Sequence, residues 1–126
     1  MKIGSQVYVR GSLEAVEMYC KAFGAEKRLQ IKNKSETAYE HCELWVNGQL
    51  FLAVSEAPET CNVTKKSVWQ TMAFNVYEIS GEEALHNTYE ILREGGTVID
   101  PPGPCPWSAC CSNLIDKFGV FWWISI

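Results

Sequence analysis

One order of elements runs through this chain twice, and that repeat limits the fold more than any single motif. Each half reads strand, helix, then three strands, and the helices carry "EAV" at 14–16 and "EAL" at 83–85 at matching places. An internal duplication has to be settled before a fold is assigned. Two βαβββ modules in one α+β domain are predicted, joined as one curved mixed sheet with helices on the convex side. The concave side is then a ready-made cleft. Module 1 is predicted over 1–56, a linker over 57–66 and module 2 over 67–126.

In the first half, "IGSQVYVR" reads as a strand ended by Gly11. "SLEAVEMYCKAF" reads as a helix with Ser12 as N-cap, a stripe of Leu13, Val16, Cys20 and Phe23, and Gly24 as its stop. "EKRLQIK" is a polar edge strand. "AYEHCELWV" and "QLFLAVS" are strands joined by Asn47-Gly48, the strongest short hairpin signal. "APETCNVTKK" is polar and contains Pro58, as a mobile linker would.

In the second half, "SVWQTMAFNVYE" reads as a strand with Met72, Phe74 and Val76 on one face. "SGEEALHNTYEILREGG" reads as a helix with Ser80 and Glu83 in capping-box spacing and a stripe of Leu85, Thr88/Tyr89 and Leu92. "TVID" is a short strand and "PPGPCP" a rigid loop. "WSACCSNLI" and "VFWWISI" are strands joined by the "DKFG" turn.

The 126 residues suit one domain, and 47% hydrophobic residues supply a core. A net charge of −4 argues against nucleic acid as the partner, which calls for a basic face. No stretch approaches the roughly 20 apolar residues of a membrane span. The start, "MKIGSQVYVRGS", has no apolar core of a secretory signal, so a cytoplasmic protein with free thiols is expected. Cys20 and Cys42 sit in apolar patterns and are expected in the core.

"YVRGSLEAVEMYCKAFGAE" at 8–26 and "DKFGVFWWI" at 116–124 resemble the vicinal oxygen chelate superfamily, the glyoxalase, bleomycin-resistance and extradiol dioxygenase group, and within it the PhnB-like branch. The resemblance covers nearly the whole chain. It implies the fold more than the activity, because the superfamily hosts many chemistries. No Gly-rich strand–helix turn that would hold S-adenosylmethionine is present.

Metal-dependent members of the superfamily place four ligands on four strands. By that resemblance the first-strand ligand falls at Ser5, or at Gln6 after one residue of slip. The ligand before the hairpin falls at Glu43, with His41 on the same face. The others fall at Thr71 and Trp123. Trp offers no lone pair to a metal. One good donor and a second from the same strand would hold a divalent cation only weakly. No cofactor is therefore expected, the alternative being a weakly bound divalent metal.

His41 and Glu43 form the best polar pair, either a binding or base–orienter pair or a solvated one. Cys105, Cys110 and Cys111 match no zinc spacing and read as inert thiols, with a metal or redox role as the alternative. Trp45, Trp107, Phe121 and Trp123 either line the cleft or pack it. His86 lies off its helix stripe and reads as surface. The ligand-lining set is His41, Glu43, Trp45, Thr71, Trp107, Phe121 and Trp123, and no catalytic residue is assigned beyond His41 and Glu43 as candidates. The function expected is metal-free binding of a small, partly aromatic molecule, as bleomycin-resistance relatives act by sequestration. The alternatives are a metal-dependent isomerase, lyase or dioxygenase, and a dimeric interaction module with a filled cleft. The resemblance also implies a homodimer.

Overall fold

The structure, a computed structural model, describes residues 1–60 and 72–126. The chain divides into two compact units, Met1–Val63 and Thr64–Ile126. Both are βαβββ modules, and the fold is α+β. Among the described residues the strands form two four-stranded mixed sheets, one per module.

Module 1 contains β1 (Gln6–Val9), α1 (Ser12–Phe23), β2 (Glu26–Lys32), β3 (Tyr39–Val46) and β4 (Gln49–Glu56). Its sheet order is β1-β4-β3-β2, with β1 parallel to β4 and the remaining pairs antiparallel. The β3–β4 turn is the expected one, with Asn47 and Gly48 at φ 51° and 74°. Those positive angles are what a two-residue hairpin turn needs to match strand twist. Gly24 ends α1 at φ 63°, in the left-handed region that favours glycine. β2 is an edge strand with every residue exposed, as its polar sequence requires.

α1 differs from expectation at its start and on its buried face. Ser12 is the first helical residue and Gly11 the N-cap. The Ser12 hydroxyl instead accepts the Tyr39 N–H at 2.8 Å, fixing the start of β3. The cap comes from a distant residue: the Glu56 carboxylate, at the end of β4, accepts the Gly11 and Ser12 N–H groups at 3.0 and 2.9 Å. The buried stripe is Ala15, Val16, Met18, Tyr19 and Ala22, whereas Leu13, Cys20 and Phe23 are half-buried. Phe23 leans on Phe51 with ring centroids 4.9 Å apart.

Module 2 contains β5 (Phe74–Val76), α2 (Glu82–Arg93), β6 (Thr97–Cys105), β7 (Ser108–Ile115) and β8 (Phe121–Ser125). Its order is β5-β8-β7-β6, with β5 parallel to β8. α2 buries Leu85, Thr88, Tyr89 and Leu92, the expected stripe. Its N-cap is Gly81 without a side-chain bond, so the Ser80–Glu83 capping box does not form. Met72 lies outside β5 and is exposed, so it does not share the packed face of Phe74, whose ring meets Trp122. The proline-rich stretch expected as a loop belongs to β6. It is tolerated because β6 is an edge strand, which has a ladder on one side alone, and because its register against β7 shifts repeatedly through this stretch.

Of the expected linker, Ala57 and Pro58 belong to module 1. The Ala57 N–H bonds the Val9 carbonyl at 2.8 Å, and the Arg10 guanidinium donates to the Ala57 and Pro58 carbonyls. Residues 61–66 lie outside the described residues. No helix among the described residues is long and apolar enough to cross a membrane.

Candidate functional site

The last turn and strand of module 2 separate two adjacent tryptophans into different jobs. In "DKFG", the buried Asp116 carboxylate accepts the Phe118 and Val120 N–H groups at 2.9 and 3.0 Å with one oxygen. Its other oxygen accepts the Trp122 indole N–H at 2.9 Å. Trp122 is fully buried and Ile124 nearly so, on the α2 face of the sheet. Because strand side chains alternate, Trp123 faces the other way.

Around Trp123 the sheet presents a row. Asn75 on β5 pairs with Trp123 on β8, which pairs with Asn113 on β7. The Trp107 indole, from the β6–β7 turn, meets Trp123 with centroids 5.8 Å apart and planes tilted by 49°. Asn75, Tyr77, Trp107, Trp123, Ile124 and Ser125 line a cavity of about 310 Å³ within module 2. Trp107 is 68% exposed, a large apolar surface left in water. Phe121, expected beside these residues, is buried opposite Ile115 and does not line this cavity. Asn75 and Tyr77 were not singled out by sequence. Only the parallel β5–β8 pairing, which sequence alone does not give, brings Asn75 to Trp123.

Module 1 carries the polar candidates. Glu43 lies between His41 and Trp45 on one face of β3, while Cys42 and Leu44 are buried on the other. Glu43 Oε2 accepts the Trp45 indole N–H at 3.0 Å, and its Oε1 lies 3.6 Å from His41 Nε2. The Arg28 guanidinium sits 4.4 Å from the Trp45 ring centre and covers one of its faces. The register of β1 is now fixed. Val7 pairs with Val54, itself paired with Cys42, so Val7 and Val9 belong to the core. Gln6 pairs with Ala53, which pairs with Glu43, so Gln6, not Ser5, shares the Glu43 face. The Gln6 amide donates to the Ser55 hydroxyl at 2.8 Å. Thr71 lies outside the described residues. His86 is exposed. Cys42 is fully buried, and burial pushes its thiol up to about 11, whereas Cys20 is only half-buried.

Comparison with solved structures bears out the fold. The chain is similar to protein PA1353 from Pseudomonas aeruginosa, at 20% identity and TM-score 0.78, covering 99% of this chain and 96% of that one. It is similar to the PhnB protein from Bacillus cereus, a putative 3-demethylubiquinone-9 3-methyltransferase, at 23% identity and TM-score 0.79, covering 99% and 98%. It is also similar, at 12% identity and TM-score 0.66 with 99% and 90% covered, to the genomically encoded fosfomycin resistance protein FosX from Listeria monocytogenes, complexed with Mn(II) and dihydroxypropylphosphonic acid. No family model and no curated protein matches the sequence.

The FosX complex raises the question of a metal, and the donors among the described residues do not fit one. Trp123 stands at the β8 position that the superfamily resemblance assigns to a carboxylate, and indole has no lone pair to give. In module 1, Glu43 already has Trp45 on one oxygen and His41 beside the other. Among the described residues, no three His, Cys, Asp or Glu side chains converge as a metal site would need.

Proposed function

We propose that this chain is a metal-free binding protein for a small, partly aromatic molecule, held in the module 2 cavity. The observation that carries this reading is the tilted Trp107–Trp123 pair lining about 310 Å³ of cavity. An exposed indole poised over a second one offers a flat ligand an edge and a face at once. Asn75 and Ser125, also in the lining, supply polar groups that orient such a ligand. The chain acts as a homodimer in this reading, as the superfamily resemblance implies. A metal-dependent isomerase, lyase or dioxygenase is disfavoured by the indole at β8. His41 and Glu43 are assigned no catalytic step, because Glu43 is engaged with Trp45.

The test is a titration with anilinonaphthalene sulfonate, followed by tryptophan quenching and by calorimetry. Saturable binding is expected, with Trp107→Ala and Trp123→Ala each weakening it by at least about tenfold. Unchanged affinity in both variants overturns the assignment. Native mass spectrometry with elemental analysis is expected to show a two-chain mass and no stoichiometric metal. One firmly held divalent metal per chain would return the protein to the metalloenzymes.

A further inference from the structure

Among the described residues, β1, β2, β5 and β6 end the two sheets, and the four edges are not alike. β1 and β5 have four and three residues, short for a pairing surface. β6 has nine, but Pro101, Pro102 and Pro104 lack the N–H groups that a new neighbour would need. β2 has seven residues, no proline and no glycine, and every one of them is exposed. Leu29 and Ile31 on it are 47% and 44% exposed. A long open edge is a template for another strand, and folded proteins blunt such edges by shortening, bending or charging them.

β2 is charged, but in a self-complementary order. Written against an antiparallel copy of itself and centred on Leu29, "EKRLQIK" sets Glu26 opposite Lys32 at both ends. Lys27 then meets Ile31, and Arg28 meets Gln30, so no like charges stand directly opposite. One residue of slip in one direction sets Lys27 against Lys32, and in the other leaves no opposite charges facing. Lys27 is already matched by Glu17 of α1. Arg28 takes only Oε1 of Glu26, so Oε2 is the oxygen offered to a Lys32 across the pair. Among the described residues Lys32 has no carboxylate beside it, only the Tyr39 ring at 5.6 Å. β2 also has a register shift against β3 between Lys27 and Gln30, the mark of a bulge that bends the strand. Leu29 lies inside that bend, and a two-fold axis through Leu29, normal to the sheet, carries the bend onto itself.

We propose that β2 pairs antiparallel with β2 of a second copy of this chain, about a two-fold axis at Leu29, and so extends the module 1 sheet across a dimer. This deepens the homodimer part of the reading above by naming its surface. The open N–H and C=O groups of the edge supply the ladder, Leu29 meets its own copy at the centre, and the two Glu26–Lys32 pairs set the register.

The test follows the dissociation constant by sedimentation velocity over a dilution series. Glu26→Lys sets a second cation opposite Lys32, and Lys32→Glu sets a second anion opposite Glu26. Each variant alone is expected to weaken the dimer by at least about tenfold. An equimolar mixture of the two variants puts unlike charges at both ends. Its heterodimer is expected to recover to within about threefold of wild type, and native mass spectrometry with one chain labelled in 15N identifies it. A fold defect would not be cured by mixing. Hydrogen exchange needs no variant: β2 amides are expected to gain protection as the wild-type dimer forms, while β6 amides do not. Unchanged dissociation constants in both variants, a mixture no tighter than its components, or a dimer with β2 amides as fast as in the monomer overturns the proposal. A dimer through another face leaves the homodimer reading standing and sinks this one. A chain that stays monomeric throughout the series sinks both.

Discussion

The two modules share one order of elements and differ in what they place at the middle of the sheet. In module 1 the row is Gln6, Ala53, Glu43, a small side chain between two polar ones. In module 2 it is Asn75, Trp123, Asn113, an indole between two amides. The first row is closed by its own hydrogen bonds: Gln6 to Ser55, and Trp45 to Glu43. The second stands beside a cavity with an exposed Trp107. The repeated frame is set by core residues on the helix faces, so the opposite faces are free to diverge. Function is therefore to be sought in that difference rather than in the frame.

Each module also holds its frame with one carboxylate, and substituting the two compares them directly. Asp116 binds two backbone N–H groups and the buried Trp122 indole. Asp116→Ala would leave those donors unpaired away from water, and a loss of about 4 kcal/mol is expected in chemical denaturation. Asp116→Asn keeps one acceptor and is expected to lose about half as much. Hydrogen exchange tells whether the modules unfold together. If they are independent, β8 amides lose protection while β4 amides keep theirs. Loss in both would show that the frame is shared, and the module-by-module comparison would fail.

Glu56 is the module 1 counterpart, and it is less buried. Burial pushes its carboxyl up, but the Ser12 and Gly11 N–H groups, the Ser12 side chain and Arg10 outweigh that and hold it below the ordinary value of 4.5. A folded-state value lower than the unfolded one stabilises the fold above the unfolded value, and that stability is lost as pH falls through the folded value. Glu56→Gln is expected to cost about 1 kcal/mol at pH 7. The gap between wild type and variant is expected to close as pH drops below the ordinary carboxylate range. A gap unchanged by pH would mean that Glu56 acts through packing, not as a charged cap.

These two carboxylates also mark where sequence reasoning stopped. Local signals were legible: Asn47-Gly48, Gly24, the α2 stripe and the polar β2 were each readable, because a short window sets the backbone angles or the buried face. The helix starts were not. A Ser before an apolar run predicts a cap at Ser12, but the cap is supplied by Glu56 from another strand, and Ser12 was thereby free to hold Tyr39. The β6 prolines read as a loop because sequence does not reveal that a strand lies at an edge. The β1 register could not be decided between Ser5 and Gln6, since both are polar. The pairing of β1 with β4 settled it by burying Val7 and Val9. Of the candidate site, Trp107 and Trp123 were legible as aromatics, but the ladder that sets Asn75 beside them was not.

The smallest expected effect tests whether module 1 takes part in binding at all. Glu43 is half-buried, its contact with His41 is long, and its bond to Trp45 requires only one acceptor oxygen. Glu43→Gln retains a carbonyl oxygen for the indole and removes one charge. A stability change of about 0.5 kcal/mol or less is expected, as for partly solvated ion pairs. The module 2 cavity is lined by module 2 residues, so anilinonaphthalene sulfonate is expected to bind Glu43→Gln within about twofold of wild type, whereas Trp123→Ala loses it. A tenfold loss in Glu43→Gln would give the polar face a share in the ligand, and the division between a closed polar row and a binding indole row would have to be redrawn with Glu43 on the binding side.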